Sequence, residues 1–295
     1  MENKRTGEVL RELRENSNQS VKDFYGGIIS EHYGYRVETC RQQLSQVIFQ
    51  QILDKHSVTL SEFEFIKNSY QLKESDYVVR DFVSVMLTSN VKELRLFAKN
   101  LAKESHPEQS YYKYFIEIAL TRSRYLHQNQ LEKMRKSMET IWNDLLKKEQ
   151  WTYIELVVVS NLICVFDSDY RDSIVNRIFK SLNKYASYQE SAKVRILAFR
   201  NYCEVLFLDH SYQKVRNFSK KILCEALKRQ DGLLKCECEF QLCKLEWMQT
   251  WGQKKQISEK VSEILWVLKF MQQSSLERWM RNEWMQWVEQ EIQHC

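Results

Sequence analysis

Only one proline and six glycines occur among the 295 residues of this chain. β-rich and loop-rich folds use these residues in their turns, so their scarcity argues against both. Long stretches instead repeat apolar residues at three- and four-residue spacing, which is the pattern of an amphipathic helix. The sequence therefore predicts an all-α protein, and its length suggests about two domains.

The first 70 residues are predicted to form five short helices, over residues 7–15, 21–27, 30–40, 47–56 and 61–70. Ser20 followed by Asp23 is typical of an N-cap and marks the start of the second helix. The gap between the second and third helices is short and is flanked by Gly26 and Gly27, as a helix-turn-helix requires. The sequence therefore predicts a helix-turn-helix domain over residues 1–70, whose third helix enters the major groove.

A polar linker is predicted at 71–76, followed by a helical domain over 77–295. Its helices are expected at 76–88, 91–105, 108–126, 128–148, 150–166, 168–184, 189–208, 211–229, 231–250, 257–273 and 275–293. Successive helix pairs recur at about 40 residues, the order expected for tetratricopeptide-like repeats. The pattern favours degenerate repeats, and an irregular helical bundle is the alternative.

Three segments of the N-terminal domain carry a family resemblance. They are Thr-Gly-Glu-Val-Leu-Arg-Glu-Leu-Arg at 6–14, Arg-Val-Glu-Thr-Cys at 36–40 and Asp-Lys-His-Ser-Val-Thr-Leu-Ser-Glu-Phe at 54–63. These segments resemble Rgg/GadR/MutR-type transcriptional regulators of Gram-positive bacteria, and the likeness continues at 149–156. The resemblance implies a helix-turn-helix domain followed by a right-handed helical repeat domain, whose concave face binds a short secreted signalling peptide.

The resemblance also assigns DNA contacts, carried over by position. Four side chains of the third helix would face bases or adjacent phosphates: Ser30, His32, Tyr33 and Arg36. Three more would position the DNA backbone, a role that carries no sequence information: Arg11, Arg14 and Lys22. The role of Arg36 stays open at this point, because it could equally pair with Glu38 or Glu12 within the fold.

Departures from the family pattern fall in the same helix. Glu31 has the wrong sign to face phosphates, Gly34 costs about 1 kcal/mol relative to alanine inside a helix, and the family glycine is Cys40 here. Residues 1–70 hold nine Lys/Arg and ten Asp/Glu, whereas strong DNA binders usually concentrate positive charge. The alternative function is therefore a peptide-regulated protein-interaction module whose helix-turn-helix no longer binds DNA specifically.

Two asparagines are the expected peptide-binding residues. Amide side chains can pair with the backbone of an extended peptide, and the resemblance implies this role for Asn161, which follows an apolar run. Asn201 is the corresponding residue one repeat later. For both, a helix cap or an inter-helix hydrogen bond is the alternative. Leu162 to Cys164 stand where relatives often carry a basic residue, which favours a less acidic peptide.

The C-terminal end of the chain is aromatic, with Trp266, Phe270, Trp279, Trp284 and Trp287. Met280, Trp284 and Trp287 share one face at helical spacing. This stripe is either core or, in a terminal repeat, a surface that a second copy covers. Paired half-sites on DNA favour a two-fold dimer, so a homodimer is expected.

No catalytic or metal-binding pattern stands out. The chain lacks a Gly-rich phosphate loop, a Gly-x-Ser-x-Gly motif and a His-Glu-x-x-His motif, so an enzyme is not expected. The eight cysteines are interpreted as small buried hydrophobes, with no metal and no cofactor. No apolar N-terminal or membrane-spanning run is present. The expected protein is a cytoplasmic homodimeric regulator that binds promoter DNA and a peptide, with RNA polymerase as an additional candidate partner.

Overall fold

A computed structural model describes residues 4–71, 74–103, 110–125, 131–188, 191–250 and 252–293. Throughout these ranges the chain forms α-helices and one short 3-10 turn, without a β-strand, which confirms the all-α prediction. Backbone contacts divide the chain into two compact units, Met1–Val78 and Val79–Cys295. The predicted domain limits and the linker at 71–76 stay predictions, and residues 72 and 73 of that linker lie outside the described residues.

The first unit contains five helices: α1 (Thr6–Asn16), α2 (Val21–Tyr25), α3 (Glu31–Glu38), α4 (Gln46–Lys55) and α5 (Leu60–Lys67). Four of them begin at a Ser or Thr whose hydroxyl accepts a backbone N–H three residues later: Ser20, Ser30, Ser45 and Thr59. Such caps satisfy N–H groups that the first turn leaves without partners. All five predicted helices are therefore present, each shifted by at most a few residues.

The second unit begins within α6 and continues through ten more helices. They are α6 (Glu74–Thr88), α7 (Val91–Leu101), α8 (Ser110–Tyr125), α9 (Leu131–Leu146), α10 (Tyr153–Ser160), α11 (Ser168–Lys184), α12 (Ser191–Leu208), α13 (Tyr212–Arg229), α14 (Gly232–Gln249), α15 (Lys254–Phe270) and α16 (Ser274–Gln293). The predicted helix limits at 105, 108, 126, 128 and 189 lie outside the described residues. No described helix is both long enough and apolar enough to cross a bilayer.

The single helix predicted over 150–166 is wrong, because α10 ends at Ser160. The side-chain amide of Asn161 donates to the carbonyl of Val157 at 2.8 Å, and its backbone N–H turns to Val158 instead. An Asn side chain that takes a helix carbonyl competes with the backbone ladder. The chain then forms the 3-10 turn Ile163–Val165 before α11 begins.

Helices α8, α10, α12, α14 and α16 contact one another in succession, and we call them the even layer. The intervening helices α9, α11, α13 and α15 each pack on the even-numbered helices beside them in the chain. This alternation of two layers is the arrangement of a helical-repeat array. It is the repeat architecture that the sequence favours over an irregular bundle.

The aromatic end divides into a core part and a surface part. Met280 and Trp284 are buried in a cluster with Phe240 and Trp247, and Trp287 packs against its edge. The predicted stripe is therefore core, rather than a surface awaiting a second copy. Trp266 and Phe270 on α15 lie elsewhere: their rings stack at 5.5 Å and are 64% and 76% exposed.

Candidate functional sites

Gly34 allows α3 to pack directly on α2. A Cβ atom at this position would lie 2.6 Å from a ring carbon of Tyr25 and 2.9 Å from a methyl carbon of Val21. Both neighbours are buried, so neither has free space to move into. Close packing of α3 on α2 therefore requires a glycine here, in spite of its low helix propensity. Gly34 does not indicate that α3 is damaged.

Cys40 ends α3 in a left-handed conformation, with φ 57°. Its N–H donates to Val37, and the N–H of Arg41 donates to Arg36, which is the hydrogen-bond pattern of a Schellman motif. Glycine is the usual residue here, because a Cβ is disfavoured at positive φ. Cys40, which stands where the family has glycine, thus forms the same turn but with backbone strain.

Arg14 joins α1 to α3. Its guanidinium donates to both carboxylate oxygens of Glu38, at 2.7 and 2.9 Å, and to the carbonyl of Gln19 at 3.1 Å. The Arg14 side chain is only 15% exposed. The predicted phosphate contact of Arg14 therefore competes with a structural role that the sequence did not suggest.

The side chain of Arg36 is exposed and makes no hydrogen bond or ion pair with any described residue. The two acids that might have held it have other partners, since Glu38 pairs with Arg14 and Glu12 pairs with Lys4. The alternative of an internal ion pair for Arg36 is therefore excluded. Its guanidinium remains available on the surface of α3.

The other predicted DNA-contacting residues differ in availability. Ser30 caps α3 by accepting the N–H of Tyr33, and the hydroxyl of Tyr33 donates to the carbonyl of Gln43 at 3.0 Å. Arg11 pairs with Glu15 one turn away on an exposed surface. Two residues are exposed and form no hydrogen bond within the described ranges: Lys22 and His32. Ser30 and Tyr33 shape α3, whereas Lys22, His32 and Arg36 present free side chains.

Charge on the first unit is distributed unevenly. Five of the nine Lys/Arg in residues 1–70 pair with acids of the same segment: Lys4, Arg5, Arg11, Arg14 and Lys67. Lys55 instead donates to the carbonyls of Asp23 and Gly26 at the end of α2. Lys22, Arg36 and Arg41 have no acidic partner among the described residues. Many of the acids in this segment are thus neutralised by the five paired cations, and Lys22, Arg36 and Arg41 keep their charge unpaired within the described ranges. Arg41 is therefore a further candidate for DNA contact, which the sequence alone did not suggest.

Asn161 and Asn201 both lie in the even layer and are nearly inaccessible, at 1% and 4% exposure. The amide of Asn201 donates to the carbonyl of Ser160 at 2.8 Å, and its oxygen accepts from Arg122 at 2.9 Å. Asn161 caps α10 through its amide nitrogen. The cap and inter-helix bonds foreseen as alternatives are therefore present, and they bring α8, α10 and α12 together.

These bonds leave several buried polar atoms without partners among the described residues. They are the side-chain oxygens of Ser160 and Asn161 and Nε of Arg122. A buried polar group without a partner costs about 1–3 kcal/mol, and such groups are rare in folded proteins. Three such atoms lie around one junction of α8, α10 and α12, and they are hydrogen-bonding capacity that the described residues leave unused.

Gln241 is the equivalent residue one repeat further on. It follows Asn201 at the same 40-residue interval that separates Asn161 from Asn201, and it is 1% exposed on α14. Its nitrogen donates to Glu237 at 3.0 Å, and its oxygen has no partner within the described ranges. Sequence reasoning missed this residue, although one more step of the repeat would have reached it.

Buried ion pairs connect successive helices of the even layer. Arg200 on α12 donates to both oxygens of Glu237, at 3.1 and 2.7 Å, and its guanidinium lies 3.5 Å from the ring centre of Trp279. Lys244 on α14 pairs with Glu283 on α16 at 2.6 Å. The even layer therefore carries a polar stripe from α8 to α16 instead of a uniformly apolar surface.

Known proteins share this sequence pattern and architecture. The family described as HTH-type transcriptional regulator Rgg, C-terminal domain, matches residues 97–282, more than half of the chain. A putative transcriptional regulator from Listeria monocytogenes EGD-e is similar in structure, with 20% identity, 99% coverage of both chains and a TM-score of 0.76.

Two further structures share the fold at lower identity. The pheromone receptor Rgg2 from Streptococcus dysgalactiae has 15% identity, covers 96% of this chain and 99% of its own, and gives a TM-score of 0.62. PlcR from Bacillus thuringiensis, solved with the peptide PapR7 and DNA, has 15% identity, 92% and 98% coverage and a TM-score of 0.59. At these identities the structures establish the fold, while the family match identifies regulators rather than enzymes. The chain belongs to the Rgg family of helix-turn-helix-type transcriptional regulators.

Proposed function

We propose that this regulator binds promoter DNA through its first unit and is controlled by a short signalling peptide bound on the even layer. The observation that carries the proposal is the row of amide side chains at positions 161, 201 and 241, with unpaired oxygens at both ends of the row. Support comes from the related structures, because PlcR was solved with a peptide and DNA and Rgg2 is a pheromone receptor.

Peptide binding uses the hydrogen-bonding capacity that the fold leaves open. An extended peptide offers one N–H and one C=O per residue. The oxygens of Asn161 and Gln241 would accept peptide N–H groups, and Nε of Arg122 would donate to a peptide carbonyl. This requires these buried atoms to become accessible as the peptide binds. Asn201 holds Arg122 in place between the two ends of the row.

DNA binding uses the cations that the first unit leaves unpaired. Arg36 and His32 on α3 are the proposed base-reading side chains, with Ser30 and Tyr33 beside them. Lys22 would contact phosphates, and so would Arg11 in exchange for its exposed pair with Glu15; such contacts add affinity without sequence preference. Arg41, at the end of α3, extends this surface.

Assembly and location complete the proposal. We propose a homodimer, because two-fold operators call for two helix-turn-helix units, and Trp266 with Phe270 is the exposed apolar surface available for it. The proposed place of action is the cytoplasm, where promoter DNA lies in bacteria, and RNA polymerase is an additional partner.

Fluorescence anisotropy with DNA from directly upstream of the gene and its neighbours tests the DNA half of the proposal. The affinity should fall steeply with salt, because phosphate contacts release counterions. Arg36→Ala should cost about 1–3 kcal/mol and relax sequence preference, whereas Lys22→Ala should weaken all sequences alike. Lys260→Ala, an exposed lysine on α15, is the matched control.

The opposite result has a defined meaning. If the protein binds these fragments no better than random DNA at low salt, with or without peptide, the helix-turn-helix does not recognise specific DNA. The protein-interaction module would then be the better account of the chain. Unchanged binding and regulation by Arg36→Ala would point the same way.

A further inference from the structure

Three ion pairs among the described residues join two helices of the even layer, and Arg122–Glu204 is the open one. Its closest N–O distance is 3.7 Å, beyond hydrogen-bond length, whereas the Arg200–Glu237 and Lys244–Glu283 pairs close at 2.7 and 2.6 Å. Arg122 is instead engaged with the amide oxygen of Asn201. The Glu204 carboxylate thus accepts no hydrogen bond from any described residue.

Exposure decides which member of the open pair a ligand can reach. The Glu204 side chain is 30% exposed, and that of Arg122 is 3% exposed. Glu204 lies three residues after Asn201 on α12, so both side chains are on the same face of the helix. A peptide that lies along the even layer beside Asn201 would therefore pass a reachable carboxylate that accepts no hydrogen bond from the described residues.

We infer that Glu204 recognises a cationic amine of the bound peptide, either its N-terminal ammonium or a lysine side chain. An ionised carboxylate only accepts hydrogen bonds, and an ammonium group only donates them, so the two are complementary. The inference rests on the proposed peptide-binding function and adds to it the charge that the ligand carries at this point.

The electrostatics of the layer agree with this assignment. Burial raises the pKa of Glu204, and Arg122 lowers it by less, so the acid lacks full charge compensation. Glu283 on α16 raises this pKa further, while Arg200 and Lys244 lower it but are held by their own acidic partners. A ligand amine would supply the missing positive charge.

The test is affinity selection from a synthetic library of random octapeptides, prepared with free and with acetylated N-termini. Full-length wild-type protein should retain amine-bearing peptides, and the acetylated arm shows whether the terminus or lysine supplies the amine. Glu204→Gln should bind the selected peptides about tenfold more weakly. Glu225→Gln is the matched control, because Glu225 on α13 has similar exposure, 31%, and a similarly loose pair with Arg195 at 3.9 Å.

A second measurement uses pH and does not depend on one variant. Binding of a selected amine-bearing peptide should weaken as the pH falls and Glu204 takes up a proton, and Glu204→Gln should lose this dependence. Glu204→Asp keeps the charge and should retain the preference for amines. Circular dichroism shows that each variant is folded before binding is measured.

The possible failures separate the two levels of the proposal. If wild-type protein retains no library peptide, peptide control itself is overturned. If peptides bind without a preference for amines, or if Glu204→Gln keeps that preference, the role of Glu204 is overturned while peptide control stands.

Discussion

Glu155 is a buried acid that the fold keeps ionised. Burial acts to raise its pKa, but hydrogen bonds from Lys148, Tyr111 and the backbone N–H of Thr152 outweigh that effect and hold the pKa at about 2. The Tyr111 hydroxyl lies 2.5 Å from the carboxylate, and the acid is 2% exposed. These contacts tie α8 to the start of α10.

Because this pKa lies below the ordinary value of 4.5, ionised Glu155 stabilises the protein above pH 4.5, and the contribution is lost as the pH falls towards 2. Urea unfolding of wild type and Glu155→Gln should show their stability difference shrinking by about 2 kcal/mol between pH 6 and pH 3. Glu132→Gln, at an exposed acid on α9, is the control. A difference that does not change with pH would contradict this role.

Cys40 gives a second prediction at this scale. Its positive φ strains any residue with a Cβ, so Cys40→Gly should exceed Cys40→Ala in free energy of unfolding by about 1 kcal/mol. Both variants lose the sulfur atom, so their comparison isolates the backbone effect. Chemical denaturation measures it, and equal stability of the two variants would refute the strain.

Residue pairings set the limit of what the sequence predicts. Asn161 could be named from the chain through the family resemblance, and Asn201 as the corresponding residue one repeat later. Their partners could not, since Arg122 lies 79 residues from Asn201 and meets it only through the packing of α8 against the layer. The sequence predicts only a DNA contact for Arg14. Its pairing with Glu38 could not be predicted, because that pairing depends on how α1 and α3 pack.

At the scale of elements, Gly34 provides the sharpest test of how α3 packs on α2. Gly34→Ala should lower the free energy of unfolding by about 1–3 kcal/mol, because its Cβ would overlap Tyr25 and Val21. DNA affinity should fall with it, since α3 would shift on α2. Gly252→Ala, at a glycine with no atom within 4 Å of the added Cβ, is the control. Equal stability of the two variants would contradict the close packing.

Helices were predictable where one face is apolar and the other is not. Helix α11 matches its predicted limits, because its buried residues recur at helical spacing. The break after Ser160 was not predictable in this way. All eleven residues from Leu156 to Phe166 except Val165 are buried, so periodicity carries no signal there, and the turn depends on the side chain of Asn161.

For the whole molecule, the proposed dimer is expected to use the exposed rings of α15. Trp266→Ser with Phe270→Ser should weaken self-association at least tenfold without lowering stability, because both rings are exposed in the single chain. Sedimentation equilibrium measures the change. Leu227→Ser, at an exposed leucine on α13, should leave the assembly intact. If the double variant self-associates as strongly as the wild type, the dimer contact lies elsewhere.

The equal intervals between positions 161, 201 and 241 also set a length for the ligand. Neighbouring packed helices lie about 8–10 Å apart, so the outer two amides are separated by about 16–20 Å. An extended peptide advances about 3.3 Å per residue and needs about five or six residues to reach from one to the other. If peptides bind here as proposed, di- and tripeptides from protein turnover would be too short to engage the whole row, and the repeat would exclude them whatever their sequence.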